Sequence, residues 1–121
     1  MGIVTEVNKT QPHLNYNEQL ALKSIIQKLP PMYPMINRIM LYGSKARGDF
    51  IEESDIDILF VADYALTRTL RFEVYDVIYE FEVEYDVVIS AIFASISDFQ
   101  TKNTPFFKQV QKEGITLWSR E

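Results

Sequence analysis

Gly43-Ser44-Lys45-Ala46-Arg47-Gly48-Asp49-Phe50-Ile51-Glu52-Glu53-Ser54-Asp55-Ile56-Asp57 is the stretch on which the reading of this chain turns. Two short apolar runs flank and overlap it, Ile36–Tyr42 (INRIMLY) and Ile56–Ala62 (IDILFVA). Their length and aliphatic, partly β-branched content predict two buried strands. Between them, Gly43 to Gly48 reads as a small-residue turn leading into a short helix, and Phe50 to Ser54 as a loop. Side chains two apart on a strand point to one face. Asp55 and Asp57 therefore present two carboxylates side by side, which is costly unless a cation neutralises them. Hard oxygen ligands of this kind suit Mg²⁺, completed by substrate phosphates.

The turn supplies the complement to those carboxylates. Gly43 lets an anion approach the backbone closely. Ser44 offers a hydroxyl where helix N-terminal amides bind anions, and the same residue type also serves as a plain helix cap. Lys45 and Arg47 add positive charge. The stretch is not a P-loop, because Gly48 is followed by Asp49-Phe50 where Lys and Ser or Thr are needed. The adhesion-type tripeptide Arg47-Gly48-Asp49 has no support elsewhere in the chain.

Working outward, Asn15 with Glu18 imitates a capping box. Leu22, Ile25, Ile26 and Leu29 form an amphipathic stripe, and Pro30-Pro31 is expected to end that helix. Leu66 to Phe81 has helical spacing, with Thr67 as a cap. Asp86 to Ile92 (DVVISAI) predicts a third strand, so Asp86 is expected to bring a third carboxylate, with Glu84 as its competitor on the same face. Three carboxylates can hold two metal ions ~3.5–4 Å apart, a clamp for phosphoryl or nucleotidyl displacement. Thr104-Pro105 opens a last helix, Gly114 stops it, and Ile115 to Trp118 is an extended tail. Residues 1–14 read as a loose lead-in. The alternation of helices and strands predicts a single α/β domain over residues 1–121.

Composition narrows the function classes. The 121 residues include 12 basic and 17 acidic ones, a net charge of −5, which argues against a non-specific DNA binder. There is no Cys, hence no disulfide scaffold and no thiolate metal site. The one His, His13, falls in the lead-in and is expected to be solvated. No apolar run is long enough to cross a membrane and the N-terminus has no signal-type core, so the expected compartment is the cytoplasm. Asp49, Glu52, Glu53, Asp55 and Asp57 form one acidic cluster. A second run, Glu73, Asp76, Glu80, Glu82, Glu84 and Asp86, reads as the exposed face of a helix.

The pattern Gly43-Ser44, ten intervening residues, Asp55-Ile56-Asp57, and a later Asp86 resembles the signature of minimal nucleotidyltransferases of the DNA polymerase β-like superfamily. The resemblance runs from about Ile36 to Trp118. It implies a small mixed sheet with packed helices, ATP as substrate and Mg²⁺, with two ions. It also implies that Asp55, Asp57 and Asp86 are catalytic metal ligands, and that Gly43, Ser44, Lys45 and Arg47 bind the nucleotide. In size and motif the chain is similar to the nucleotidyltransferase antitoxins paired with HEPN ribonuclease toxins, which implies transfer of AMP to a toxin tyrosine. Two rivals stand beside this reading. One is a non-catalytic module that neutralises its partner by contact. The other is a small-molecule nucleotidyltransferase that completes its pocket as a homodimer. Phe107 and Trp118 are candidate docking residues for a partner.

Overall fold

In a computed structural model of the protein, residues 13–48 and 55–120 are described. The lead-in up to residue 12, the Phe50–Ser54 loop and the acidic residues Asp49, Glu52 and Glu53 lie outside them. Helix α1 (Tyr16–Met32) precedes strand β1 (Ile36–Tyr42), the one-turn helix α2 (Ser44–Arg47) and strand β2 (Ile56–Ala62). Helix α3 (Arg68–Tyr85), strand β3 (Ile89–Ser95), helices α4 (Ile96–Thr101) and α5 (Pro105–Glu113), and strand β4 (Ile115–Ser119) complete the chain. The four strands form one mixed sheet in the order β3-β2-β1-β4. β1 is antiparallel to both β2 and β4, and β2 is parallel to β3.

The period-two alternation of β2 sorts the core onto two faces. Ile56, Ile58 and Phe60 pack with Leu22, Ile25 and Leu29 of α1 and Val74, Val77 and Ile78 of α3. Leu59 and Val61 point the other way, against Phe99 of α4 and Val110 of α5. Among the described residues, no helix is long and apolar enough to cross a membrane.

The strands β1 and β2 have the bounds their apolar runs predict. Other elements depart from expectation. α1 does not stop at Pro30 but includes Pro30 and Pro31 and closes with the Tyr33 N–H donating to Leu29 O at 2.8 Å. Proline's fixed φ is itself helical, so the chain keeps its helical course through Pro30 and Pro31 although each lacks an N–H to donate. α3 starts behind Thr67, whose hydroxyl accepts from Leu70 N, and runs four residues past Phe81. It ends at Asp86, held in the left-handed region with φ 56°. The chain then needs Val87 and Val88 to reverse, so β3 begins at Ile89 rather than Asp86. α4, capped by Ser95, is too short for its periodicity to be read beforehand. The expected tail is β4, hydrogen-bonded to β1, and Trp118 is buried in it.

The capping box at the start of α1 does more than cap. Glu18 N donates to Asn15 Oδ1 at 2.8 Å, and Asn15 N donates to Glu18 Oε1 at 2.9 Å. The second carboxylate oxygen accepts from Lys45 Nζ at 2.6 Å. Glu18 is 5% exposed and Lys45 1%, so this is a buried ion pair joining α1 to α2. Breaking such a pair leaves a charge buried alone, which costs about 3–5 kcal/mol. Lys45→Ala is expected to lower the urea midpoint accordingly. Combining Lys45→Met with Glu18→Gln, which keeps the capping oxygen, should recover most of the loss.

Candidate active site

The site forms where β1 ends, α2 begins and β2 begins. Tyr42, the last residue of β1, is the cross-strand partner of Asp57 on β2. Gly43 follows with φ 79°, a conformation that disfavours any side chain. A Cβ there would collide with Oδ2 of Asp57 and lie 3.1 Å from its Cγ. The Asp57 carboxylate is thus seated directly on the Cα of Gly43, at the entrance to α2. This is the physical content of the Gly43…Asp57 pairing: the missing side chain makes room for the carboxylate. The N–H groups of Ala46 and Arg47 both donate to Gly43 O at 3.1 Å, which winds α2. Gly48 closes it in the left-handed conformation.

Electrostatics favour a positive partner at Asp57. Burial pushes its carboxyl above the usual carboxylate range, and the neighbouring Asp55 pushes it further, while Arg47 opposes the shift. Tyr42 is held protonated, pushed up to about 12 by burial and then by Asp57. The Tyr42 ring packs edge-on against Phe106 of α5 at 5.3 Å. Arg47 lies at the surface and is paired with Glu113 at 3.3 Å.

Two crowded carboxylates, one half-buried and one exposed, fit a hard divalent cation. Asp55 and Asp57 would hold Mg²⁺, with substrate phosphate oxygens and water completing the shell. The expected set of three carboxylates is not assembled. Among the described residues, no three His, Cys, Asp or Glu side chains come together to hold a metal ion. Asp86 is exposed, at the C-terminal cap of α3. It does lie at the same end of the sheet as the pair, because β2 and β3 are parallel and Ile56 N donates to Val88 O at 2.9 Å. Glu84, its competitor, is exposed on α3.

The remaining expected residues divide. Gly43, Ser44 and Arg47 stand at the site beside Asp55 and Asp57. Lys45 is placed otherwise than expected: its ammonium points into the core onto Glu18, away from any solvent-borne phosphate. α2 is one turn long, so Lys45 and Arg47 face opposite sides and only one can border the site. His13 is not a solvated lead-in residue. A Cβ at Gly48 would approach its ring at 2.6 Å, so the imidazole lies against the end of α2. The residues that the sequence reading missed are Tyr42 and Ser90, brought to Asp57 by register on either side. Adjacency of Tyr42 to Gly43 was the available signal for the first, while nothing marked the second.

Comparison with known proteins gives a consistent result. The family described as polymerase beta nucleotidyltransferase matches residues 21–121. A protein of Methanocaldococcus jannaschii, provisionally named a protein adenylyltransferase, is 40% identical over 104 residues, spanning 84% of this chain and 99% of the relative. A solved structure of a tri-AMPylated HEPN toxin of Shewanella oneidensis in complex with MNT antitoxin contains a similar chain. That chain shows 25% identity and a TM-score of 0.54, with 84% of this chain and 71% of the other covered. A structure of the MntA–HepT toxin–antitoxin contains another, at 25% identity and a TM-score of 0.56, covering 84% and 72%.

The raised Asp57 carboxyl makes a stability prediction whose sign is definite. A carboxylate with a raised folded-state pKa destabilises the fold above that pKa. The penalty vanishes below the unfolded value of ~3.9, where both states are protonated. Asp57→Asn should therefore raise the melting temperature by a few degrees at pH 7 without metal, and the gain should disappear near pH 3.5. Added Mg²⁺ should stabilise the parent protein and not the variant. Gly43→Ala, which displaces the same carboxylate, should also abolish the Mg²⁺ response.

Proposed function

Since the chain belongs to the polymerase beta nucleotidyltransferase family, we propose that it transfers AMP from ATP to a hydroxyl on a partner protein, a tyrosine of a HEPN-type toxin, and so acts as an antitoxin. The observation that carries this reading is the Asp57 carboxylate seated on Gly43 at the start of α2, with Asp55 beside it. Support for the acceptor comes from the relative named for protein adenylylation and from the AMPylated toxin complex.

In the proposed reaction the acceptor oxygen attacks the α-phosphorus of ATP. The bond to the bridging oxygen breaks, and pyrophosphate leaves with the electron pair. Bound Mg²⁺ would supply charge neutralisation of the triphosphate and acidify the attacking hydroxyl. Asp55 and Asp57 hold the triphosphate end of the nucleotide in place through that charge. Ser44 donates its hydroxyl to a phosphate oxygen, and the backbone at Gly43 allows close approach. Arg47, at the surface beside Asp57, balances the negative charge that develops on the leaving group. Asp86, at the same end of the sheet, accepts the proton of the acceptor hydroxyl, within hydrogen-bond reach once nucleotide and partner are bound.

Intact mass spectrometry tests the reading. The purified chain is incubated with Mg-ATP and the product of the neighbouring gene. A gain of one or more AMP units on that partner is expected. Asp57→Asn should cut the rate more than about a hundredfold, since it removes a charge that stabilises the transition state by several kcal/mol. Asp86→Asn should lose transfer while retaining nucleotide binding. Ser44→Ala should lose roughly 1.5–3 kcal/mol of transition-state stabilisation, the range for a hydrogen bond to a charged group. A partner inhibited in a tight complex yet unmodified would overturn transfer in favour of neutralisation by contact.

A further inference from the structure

The chemistry lies at one end of the sheet, but the exposed apolar surface lies elsewhere. Phe107 and Trp118, the expected docking residues, are turned inward: Trp118 is buried, and Phe107 packs edge-on against Phe99 at 6.0 Å. The large apolar side chains that do reach solvent include Phe72, Tyr75, Tyr79 and Val83 of α3, with Tyr79 and Val83 each 64% exposed. Their spacing puts them on one stripe of the helix. That stripe borders β3, since the Tyr75 ring meets Phe93 edge-on at 5.4 Å.

β3 is an edge strand of the sheet, and its sequence, Ile-Ser-Ala-Ile-Phe-Ala-Ser, contains no charged residue and no proline. Natural edge strands usually carry such residues to block pairing with another chain. A cavity of about 330 Å³ is lined by five consecutive β3 residues, Ala91 to Ser95. Consecutive strand residues point to opposite faces, so only a groove running along the strand's open edge can touch all five.

We infer that this edge is a self-association surface, on which β3 of a second copy of the same chain pairs antiparallel about a two-fold axis near Ile92. Two observations favour a second copy over another partner. The first is metric. α3 runs antiparallel to β3, and Tyr75 marks the level of Phe93. One step back along the strand, ~3.3 Å, equals about two helix residues at ~1.5 Å each, so Ile92 lies level with Val77. The midpoint of the stripe from Phe72 to Val83 falls there as well. One axis therefore brings the strands together at Ile92 and the two α3 stripes together at their centres, Phe72 of each copy facing Val83 of the other. The second is charge. The edge-facing side of α3 carries Arg68 and Arg71 at its start and Glu82 at its end. Antiparallel pairing sets the basic end of each copy against the acidic end of the other, so the surface is complementary to itself.

Sedimentation velocity over a concentration series tests the assembly. The parent protein is expected at twice 14.1 kDa. Tyr79→Glu and Arg68→Glu, both at exposed positions, should each weaken dimerisation at least about tenfold while leaving the melting temperature of the monomer unchanged. Because the chain has no cysteine, Ile92→Cys can form a disulfide only between copies. Under mild oxidation it should give a covalent dimer, whereas Tyr16→Cys, on α1, should not. A protein that stays monomeric at every concentration overturns the inference. So does a dimer indifferent to Tyr79→Glu and not trapped by Ile92→Cys.

Discussion

The buried ion pair between Glu18 and Lys45 ties together the parts on which the site depends. One carboxylate oxygen caps α1 through Asn15, and the other holds the ammonium of α2. α2 is a single turn with only the small Ala46 packed on the core, so packing alone would not fix its orientation. A charged hydrogen bond in the core does so, because a misaligned pair would leave both charges desolvated without compensation. With Lys45 pinned inward, the opposite side of the turn, Ser44 and Arg47, is directed to solvent and to the carboxylates of β2.

The second constraint is the contact between Gly43 and Asp57. It couples a backbone conformation to a charge, since the left-handed glycine is what admits the carboxylate. The result is an electrostatic tension confined to one spot, where burial and Asp55 both disfavour ionisation of Asp57. Strain of this kind is tolerated where a ligand relieves it. The parallel pairing of β2 and β3 adds Ser90 and, at the preceding turn, Asp86 to the same end of the sheet. Polar groups thus concentrate where two parallel strands begin, and β3 itself carries no charged residue along its open edge. Chemistry and association use separate regions of one small sheet.

Much of this was legible from the residues. The bounds of β1 and β2 follow from apolar runs closed by glycine on one side and aspartate on the other. The capping box at Asn15 and the N-cap at Thr104 follow from local hydrogen-bonding rules. Asp55 and Asp57 were recognisable from their two-residue spacing at the mouth of β2, with Asp55 one residue ahead of the strand and close enough to act on Asp57. Those features are local: each depends on dihedral preferences and hydrogen bonds within a few residues, and so is encoded where it is read.

Other features were settled only by contacts between distant segments. Lys45 and Arg47 look equivalent in sequence, yet one is core and one is surface. The difference is set by Glu18, 27 residues away. The end of α3 moved from Phe81 to Tyr85 because Phe81 and Tyr85 find partners on α1, Lys28 over the Phe81 ring and Ser24 on the Tyr85 hydroxyl. That extension carried Asp86 out of the strand and onto a left-handed cap. Trp118 was a surface candidate until β4 paired with β1 and buried it. The sequence by itself thus determined the α/β class, the two central strands and the paired carboxylates, since local geometry suffices for them. Which cation faces the site, where the third carboxylate stands and which apolar residues remain exposed were decided by tertiary packing, since burial depends on what the rest of the chain places alongside.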